Sequence, residues 1–251
     1  MAVANPLAVS IERLDFRYPG SDEALLSNLS LSIDKGNSFG LFGPNGAGKT
    51  TLMNLMTGVL NANRGDVKIM GHPMGTPSKK VNRLFGFVPQ DFSFYDELNP
   101  VENMEFYGAW AGLDGKRIKK RTAELLDILG LEDVKHKPVG KFSGGMKRRV
   151  NLAIGVIHNP SVLFLDEPTV GVDVQTRHAI ISYLKELNEN GTTLIYTSHQ
   201  LSEAETLCRD IALIDSGKIV AEGTLDDLNK KYQKKSLEDL FLSLTGKDFR
   251  D

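Results

Sequence analysis

The chain opens on alternation. Val9 and Ile11 share one face of an extended segment, and Leu14, Phe16 and Tyr18 share the next. A period of two marks a half-buried strand. The odd step from Ile11 to Leu14 predicts a bulge or a break. Pro19-Gly20-Ser21-Asp22 reads as a turn. Leu29, Leu31 and Ile33 then alternate again, which predicts antiparallel β structure with one wet face. The pattern changes at Phe39-Gly40-Leu41-Phe42, a continuous apolar run of the kind a strand covered on both sides requires. A Gly-rich loop follows, then a helix predicted to carry Leu52, Leu55, Met56 and Val59 on one face. Leu84–Val88, Val162–Leu165 and Thr193–Tyr196 are further buried runs, and helical segments separate most of them. Apolar strands alternating with helices predict an α/β fold with a mostly parallel sheet.

Residues 91–160 read as a helical insertion. Asn99-Pro100-Val101-Glu102 is a helix start, with an Asn cap, Pro at the first position and Glu three after the cap. Ile118, Thr122, Leu125 and Leu129 fall at helical spacing, and Gly130 supplies the stop. Met146, Val150, Ala153 and Ile157 mark another helix, ended by Asn159-Pro160. Ser216-Gly217 is a hairpin turn between Ile211–Ile214 and Ile219-Val220. From residue 226 on, the chain reads as a helical tail. Ser236-x-x-Asp239 caps a short helix with an apolar stripe of Leu237, Leu240, Phe241 and Leu244, expected to dock on the protein's own body.

Composition narrows the class. The 251 residues are 25% charged and 41% hydrophobic, which excludes collagen, coiled-coil rods and disordered tails. Thirty Lys and Arg against 32 Asp and Glu leave a net charge of −2, so bulk charge argues for no nucleic-acid partner. The one cysteine, Cys208, excludes an intramolecular disulfide and reads as a small buried hydrophobe in a reducing compartment. No apolar run reaches the ~20 residues of a membrane span. The first residues carry no secretory pattern, so a cytoplasmic protein is expected.

The strongest motif is Gly43-Pro44-Asn45-Gly46-Ala47-Gly48-Lys49-Thr50. It fits G-x-x-x-x-G-K-[ST] between a buried strand and a helix, the context of a phosphate-binding loop. Glycines let successive N–H groups point inward, and the helix N-terminus adds partial positive charge. Lys49 would reach the outer phosphates of a triphosphate, and the Thr50 hydroxyl would ligate Mg²⁺. Thr51 follows in the same turn. The expected fold is therefore a P-loop NTPase core, with an N-terminal antiparallel β subdomain and an inserted helical subdomain.

Other residues complete a hydrolytic set. The run Val162-Leu163-Phe164-Leu165 ends in Asp166-Glu167, two carboxylates that strand alternation would aim to opposite sides. Asp166 is assigned to magnesium and Glu167 to the attacking water. Gln90 follows an apolar strand, where a neutral amide can bond both water and Mg²⁺. His199 ends the strand Leu194–Thr197, at the end where α/β active sites sit. Ser143-Gly144-Gly145 opens a helix whose next residues are Lys147, Arg148 and Arg149. Cations there oppose the helix dipole, which suggests an anion near that terminus.

Together these residues resemble the ATP-binding cassette (ABC) ATPase family over about residues 7–225, with the motifs in family order. By that resemblance Tyr18 stacks on adenine, Gly43–Thr50 is Walker A, and Gln90 is the Q-loop. Phe142-Ser143-Gly144-Gly145-Met146 is similar to the signature, with Phe142 and Met146 in place of the usual Leu and Gln. Leu163–Glu167 resembles Walker B, Val170–Asp173 the D-loop and His199 the switch histidine. Residues 147–149 and 237–246 are similar to the exporter branch that includes drug-resistance ATPases.

The resemblance implies ATP and Mg²⁺ as ligands. It also implies a head-to-tail dimer, homo- or heterodimeric, in which the signature of one copy covers the ATP of the other. The expected partner is a separate transmembrane permease subunit, which would hold this chain at the cytoplasmic face of the membrane. A soluble ABC protein acting on ribosomes or DNA is disfavoured. The chain has room for one cassette, and too few residues between Lys49 and Ser143 for a long coiled coil. No Asn-Lys-x-Asp guanine reader is present, and a kinase would leave Ser143-Gly144-Gly145 and His199 unexplained. The aromatics Phe92, Phe94 and Tyr95 suggest a groove for a membrane-subunit helix, or packing within the insertion. Basic clusters at Lys116–Arg121, Lys230-Lys231 and Lys234-Lys235 read first as solvated helix faces.

Overall fold

A computed structural model of the chain describes residues 6–75, 78–198, 201–234 and 236–246. In chain order the elements are β1 (Leu7–Phe16), β2 (Leu26–Asp34), β3 (Ser38–Phe42), α1 (Lys49–Met56), β4 (Arg64–Ile69), β5 (His72–Pro73), α2 (Lys79–Asn82), β6 (Phe85–Val88), α3 (Pro100–Trp110), α4 (Gly115–Ile128), α5 (Gly144–Val156), β7 (Val162–Asp166), α6 (Val174–Glu189), β8 (Thr193–Ser198), α7 (Leu201–Leu207), β9 (Asp210–Asp215), β10 (Lys218–Thr224), α8 (Leu225–Tyr232) and α9 (Leu237–Thr245). They fall into two compact units, one of residues 1–81 and 193–251, the other of residues 82–192.

In the first unit, β2, β1, β4 and β5 form an antiparallel sheet in that order. Leu26, Leu29, Leu31 and Ile33 of β2 are buried while their neighbours face out, as the alternation predicts. The step between Ile11 and Leu14 is a register shift against β2, and the shift against β4 falls between Glu12 and Asp15, with Arg13 at φ 50°. A second set of strands is mostly parallel. β3 pairs parallel to β8 and to β9, and β10 returns antiparallel to β9 through Ser216-Gly217. All five residues of β3 are buried, which is why its sequence lacks polar alternation. α9 docks on its own unit through Leu237, Leu240 and Phe241, capped by Ser236 accepting from the Asp239 N–H.

In the second unit, β6 and β7 pair in parallel and helices make up most of the rest. α3 starts with the full capping box of Asn99 and Glu102. α4 is capped by Asp114 and buries Ile118, Thr122, Leu125 and Leu126. The backbones of β6 and α5 approach closely: a Cβ on Gly86 would lie 2.0 Å from the Gly155 carbonyl oxygen.

The apolar stripe predicted for α1 does not hold through Val59. Val59 is 63% exposed and lies beyond α1, which ends at the Thr57 C-cap. The apolar stripe runs on past the point where Gly58, at φ 75°, turns the chain.

Candidate functional site

The loop 43–48 runs from the end of β3 into α1. Gly46 and Gly48 have φ of 80° and 104°, a region L side chains avoid, and together they curl the loop back on the helix start. Its outer wall is tight. A Cβ on Gly43 would meet the Ile214 carbonyl oxygen at 2.1 Å, and the Gly217 N–H donates to the Ala47 carbonyl at 3.0 Å. Lys49 is buried, and its Nζ donates to the carbonyls of Gly43 at 2.7 Å and Pro44 at 3.1 Å. The ammonium thus lies against the start of the loop. Thr50 is exposed and Thr51 buried.

The start of α1 differs from other helices of the chain. α3, α4, α5, α6, α8 and α9 each have a side chain accepting from the first turn. α1 begins at Gly48 with no side-chain cap and no acidic residue in its first turn. Helix-start N–H groups without a side-chain acceptor are a ready anion site. A phosphate fits this cradle, whose donors are amides and one ammonium. Beside it, the Tyr18 hydroxyl is 3.0 Å from the Thr51 hydroxyl, and the Tyr18 ring packs edge-on against Phe16 at 4.9 Å. Tyr18 is 43% exposed, so a face of the ring is available to a flat ligand.

The second unit carries the remaining described candidates. Asp166 closes β7 at 1% exposure, and Glu167 follows at 7%. Alternation does not extend to Glu167. Its φ is 48°, so the pleat ends at Asp166 and the carboxylate is aimed by a left-handed backbone rather than by the strand. Buried carboxylates at a strand end, one on a strained residue, are suited to metal and water chemistry. His199 lies outside the described residues.

Ser143 caps α5 by accepting from the Met146 N–H at 3.3 Å. Ser143 and Gly144 are exposed. A Cβ on Gly145 would stand 3.2 Å from the Thr176 hydroxyl, so the missing side chain lets the first turn of α5 approach the start of α6. That start is capped by Asp173, which accepts from the Thr176 N–H and hydroxyl. These bonds pull the Asp173 carboxyl below its usual range.

Each of the three cations that follow Met146 has a partner within the second unit. Lys147 pairs with Asp96 at 2.9 Å and lies over the Phe94 ring. Arg149 donates to the Leu129 carbonyl at 2.8 Å. Arg148, 6% exposed, donates to the Gln90 carbonyl at 2.6 Å and stacks over Phe92 at 4.8 Å. Burial lowers the Arg148 pKa, and the charges of Asp91 and Glu167 oppose that. One turn on, Asn151 donates to the Pro89 carbonyl at 3.1 Å and accepts from the Ser93 N–H and hydroxyl. The sequence reading missed Asn151. The available signal was an amide at helical spacing among Val150, Ala153 and Ile154.

The aromatic segment divides. Phe94 stacks on Phe92 at 5.2 Å and is partly covered, whereas Phe92, Tyr95, Phe106 and Trp110 are exposed, Trp110 at 75%. The cluster at 116–121 is a solvated face with ion pairs to Asp114 and Glu124. Lys230 and Lys231 close the last turn of α8, where cations suit the dipole, and Lys235 is outside the described residues. Cys208 is buried, and burial with the nearby Glu203 charge pushes its thiol pKa up, as for an unreactive core residue. Among the described residues no helix is long and apolar enough to cross a membrane.

Comparison with known proteins identifies the family. The family described as ABC transporter matches residues 26–170. The linearmycin resistance ATP-binding protein LnrL of Bacillus subtilis (strain 168) is 42% identical over 206 residues, 82% of this chain and 66% of that protein. The daunorubicin resistance ATP-binding protein DrrA3 of Streptomyces coeruleorubidus is 36% identical over 88% of this chain and 69% of its own length. The chain thus spans about two thirds of these relatives. A solved ATP-binding subunit of an ABC transporter superposes with TM-score 0.88 at 27% identity, covering 95% of this chain and 99% of that one. A dimeric post-hydrolysis cassette, MJ0796 bound to ADP and Pi, superposes with TM-score 0.78 at 29% identity over 86% of this chain and 98% of its own. With the family match over more than half of the chain and relatives at this identity, the chain is a member of the ABC transporter family, an ATP-binding-cassette ATPase.

Proposed function

We propose that this ATPase drives export through a separate membrane subunit, with two ATPase copies closing on Mg-ATP. The observation that carries the reading is the cradle itself: Lys49 lies against a glycine-curled loop, and the helix behind it has no side-chain cap. The assignment to export rests on the relatives, whose names include linearmycin resistance, daunorubicin resistance and Nod factor export.

In this reading the amides of residues 43–48 and the Lys49 ammonium bind the phosphates, and Thr51 supports the loop. Tyr18 stacks on the adenine. Thr50, Gln90 and Asp166 are the residues that would hold magnesium, hard oxygen donors of the kind the ion prefers. Magnesium, when bound, neutralises charge on the phosphate oxygens. Glu167 orients the attacking water and takes its proton, and His199 assists at the same step. Ser143, Gly144 and Gly145 of one copy contact the nucleotide held by the other, so closure requires both. Exposed Tyr95, Phe106 and Trp110 are the anchors for the membrane subunit, since exposed aromatics favour interfaces. That subunit holds the chain peripherally at the cytoplasmic face.

Glu167→Gln tests the chemistry. The variant keeps the side-chain shape but removes the base. With Mg-ATP it is expected to bind nucleotide, persist as a dimer by mass, and turn over at least about a hundredfold slower. Near-normal turnover would move the base elsewhere.

A further inference from the structure

The second unit contains a joint that the assigned motifs leave unused. α5 begins at the signature residues Ser143-Gly144-Gly145, and two of its side chains reach the loop that carries Gln90. Arg148 donates to the Gln90 carbonyl at 2.6 Å, and Asn151 donates to the Pro89 carbonyl at 3.1 Å. Asn151 also accepts from the Ser93 N–H at 3.2 Å and hydroxyl at 3.0 Å. The loop is thus held on both sides of Gln90 by one helix face, because residues three apart on a helix are neighbours. Phe92 covers the guanidinium at 4.8 Å, which restricts its rotation.

Two features make Arg148 more than a surface tether. It is 6% exposed, so its charge is not dispersed in water. The charges of Asp91, next to Gln90, and Glu167, which follows β7, favour its charged form against the effect of burial. A buried guanidinium bonded to a carbonyl resists displacement, since moving away leaves that acceptor and its own donors unpaired. The Gln90 side chain is exposed while its backbone is clamped. The clamp therefore sets where the amide starts from without competing for it.

We propose that Arg148, supported by Asn151, is a positioning residue that keeps Gln90 in register with the signature helix. It rests on the reading of Gln90 as a ligand of magnesium and water. On this account α5 carries the signature at its start and steers Gln90 one turn later. A copy whose signature engages the opposite nucleotide thereby adjusts Gln90 at its own.

The test is a mutant cycle in the full chain, reading steady-state ATPase, ATP affinity and thermal midpoint together. Gln90→Ala alone checks the underlying reading: an unchanged kcat would remove Gln90 from the machinery, whatever Arg148 does. Given a loss there, Arg148→Met is expected to lower kcat on the order of tenfold, with KM for ATP altered less. The double variant should lose no more than Gln90→Ala by itself, because Arg148 acts through Gln90. Arg148→Lys, which keeps the charge and a donor, should recover part of kcat. Additive losses, or a kcat in Arg148→Met matching the parent, would overturn the proposal. If Arg148→Met does not fold, the same cycle with Arg148→Gln decides by the same additivity criterion.

Discussion

The Tyr18 hydroxyl lies 3.0 Å from the Thr51 hydroxyl, which ties the segment after β1 to the first turn of α1. The ring is therefore held in place by an edge contact with Phe16 and by this bond. Tyr18→Phe keeps the ring but frees it, and should weaken ATP binding by about 0.5–1.5 kcal/mol, the value of one hydrogen bond. Tyr18→Ala removes the stacking face and should cost about 1–3 kcal/mol. Titration calorimetry on both variants separates the effects. Native affinity in Tyr18→Ala would leave the residue with only a packing role beside Phe16 and Thr51.

Lys49→Ala should lower ATP affinity by on the order of tenfold or more, since each charge-assisted contact is worth about 1.5–3 kcal/mol. The same change releases the carbonyls of Gly43 and Pro44, so the loop should also become more susceptible to proteolysis. Unchanged affinity in a folded variant would refute the cradle.

His158 gives a pH signature. Its Nε2 is 2.9 Å from the Phe85 carbonyl, so the neutral ring donates there. Burial lowers its pKa, with that hydrogen bond opposing. A depressed folded value means that the stabilisation is present above the ordinary histidine range. It is lost as pH falls through that range to the depressed value. His158→Gln keeps a donor but cannot charge. Between pH 8 and pH 5 the parent's thermal midpoint should drop more steeply than the variant's. Parallel curves would assign the acid lability to other groups.

Partner retention should follow exposure rather than aromatic count. Trp110→Ala and Tyr95→Ala remove exposed rings and should reduce co-purification with the membrane subunit while ATP binding stays native. Phe94→Ala instead removes a ring stacked on Phe92 and covered by Lys147, so its first effect should be a lower thermal midpoint. Full retention in the Trp110 and Tyr95 variants would place the interface elsewhere.

Much of this was legible because its determinants are local. Gly43–Thr50 announces a cradle through spacing alone, and the Asn99–Glu102 box and the Ser236 cap are bonds between near neighbours in the chain. The Ile11–Leu14 step showed as a break in period and became a register shift. What escaped depends on distant partners. Lys147 finds Asp96 fifty-one residues earlier and Arg148 finds Gln90 fifty-eight earlier, partners that the local run of cations does not announce. The left-handed Glu167 escaped because backbone handedness is not written in an apolar-apolar-acid-acid run.

The contact between Gly86 and Gly155 places two backbones in touch, with no side chain between them. Joints made of side chains soften on warming as their rotamers multiply, but this one has no rotamers to gain. The spacing between α5 and β6, the strand that leads to Gln90, is then a mechanical constant of the unit. Heating should loosen the grip of Arg148 and Asn151 well before it alters that spacing. A variant adapted to warmer conditions would have to reinforce the clamp, since the bearing beneath it has no slack to remove.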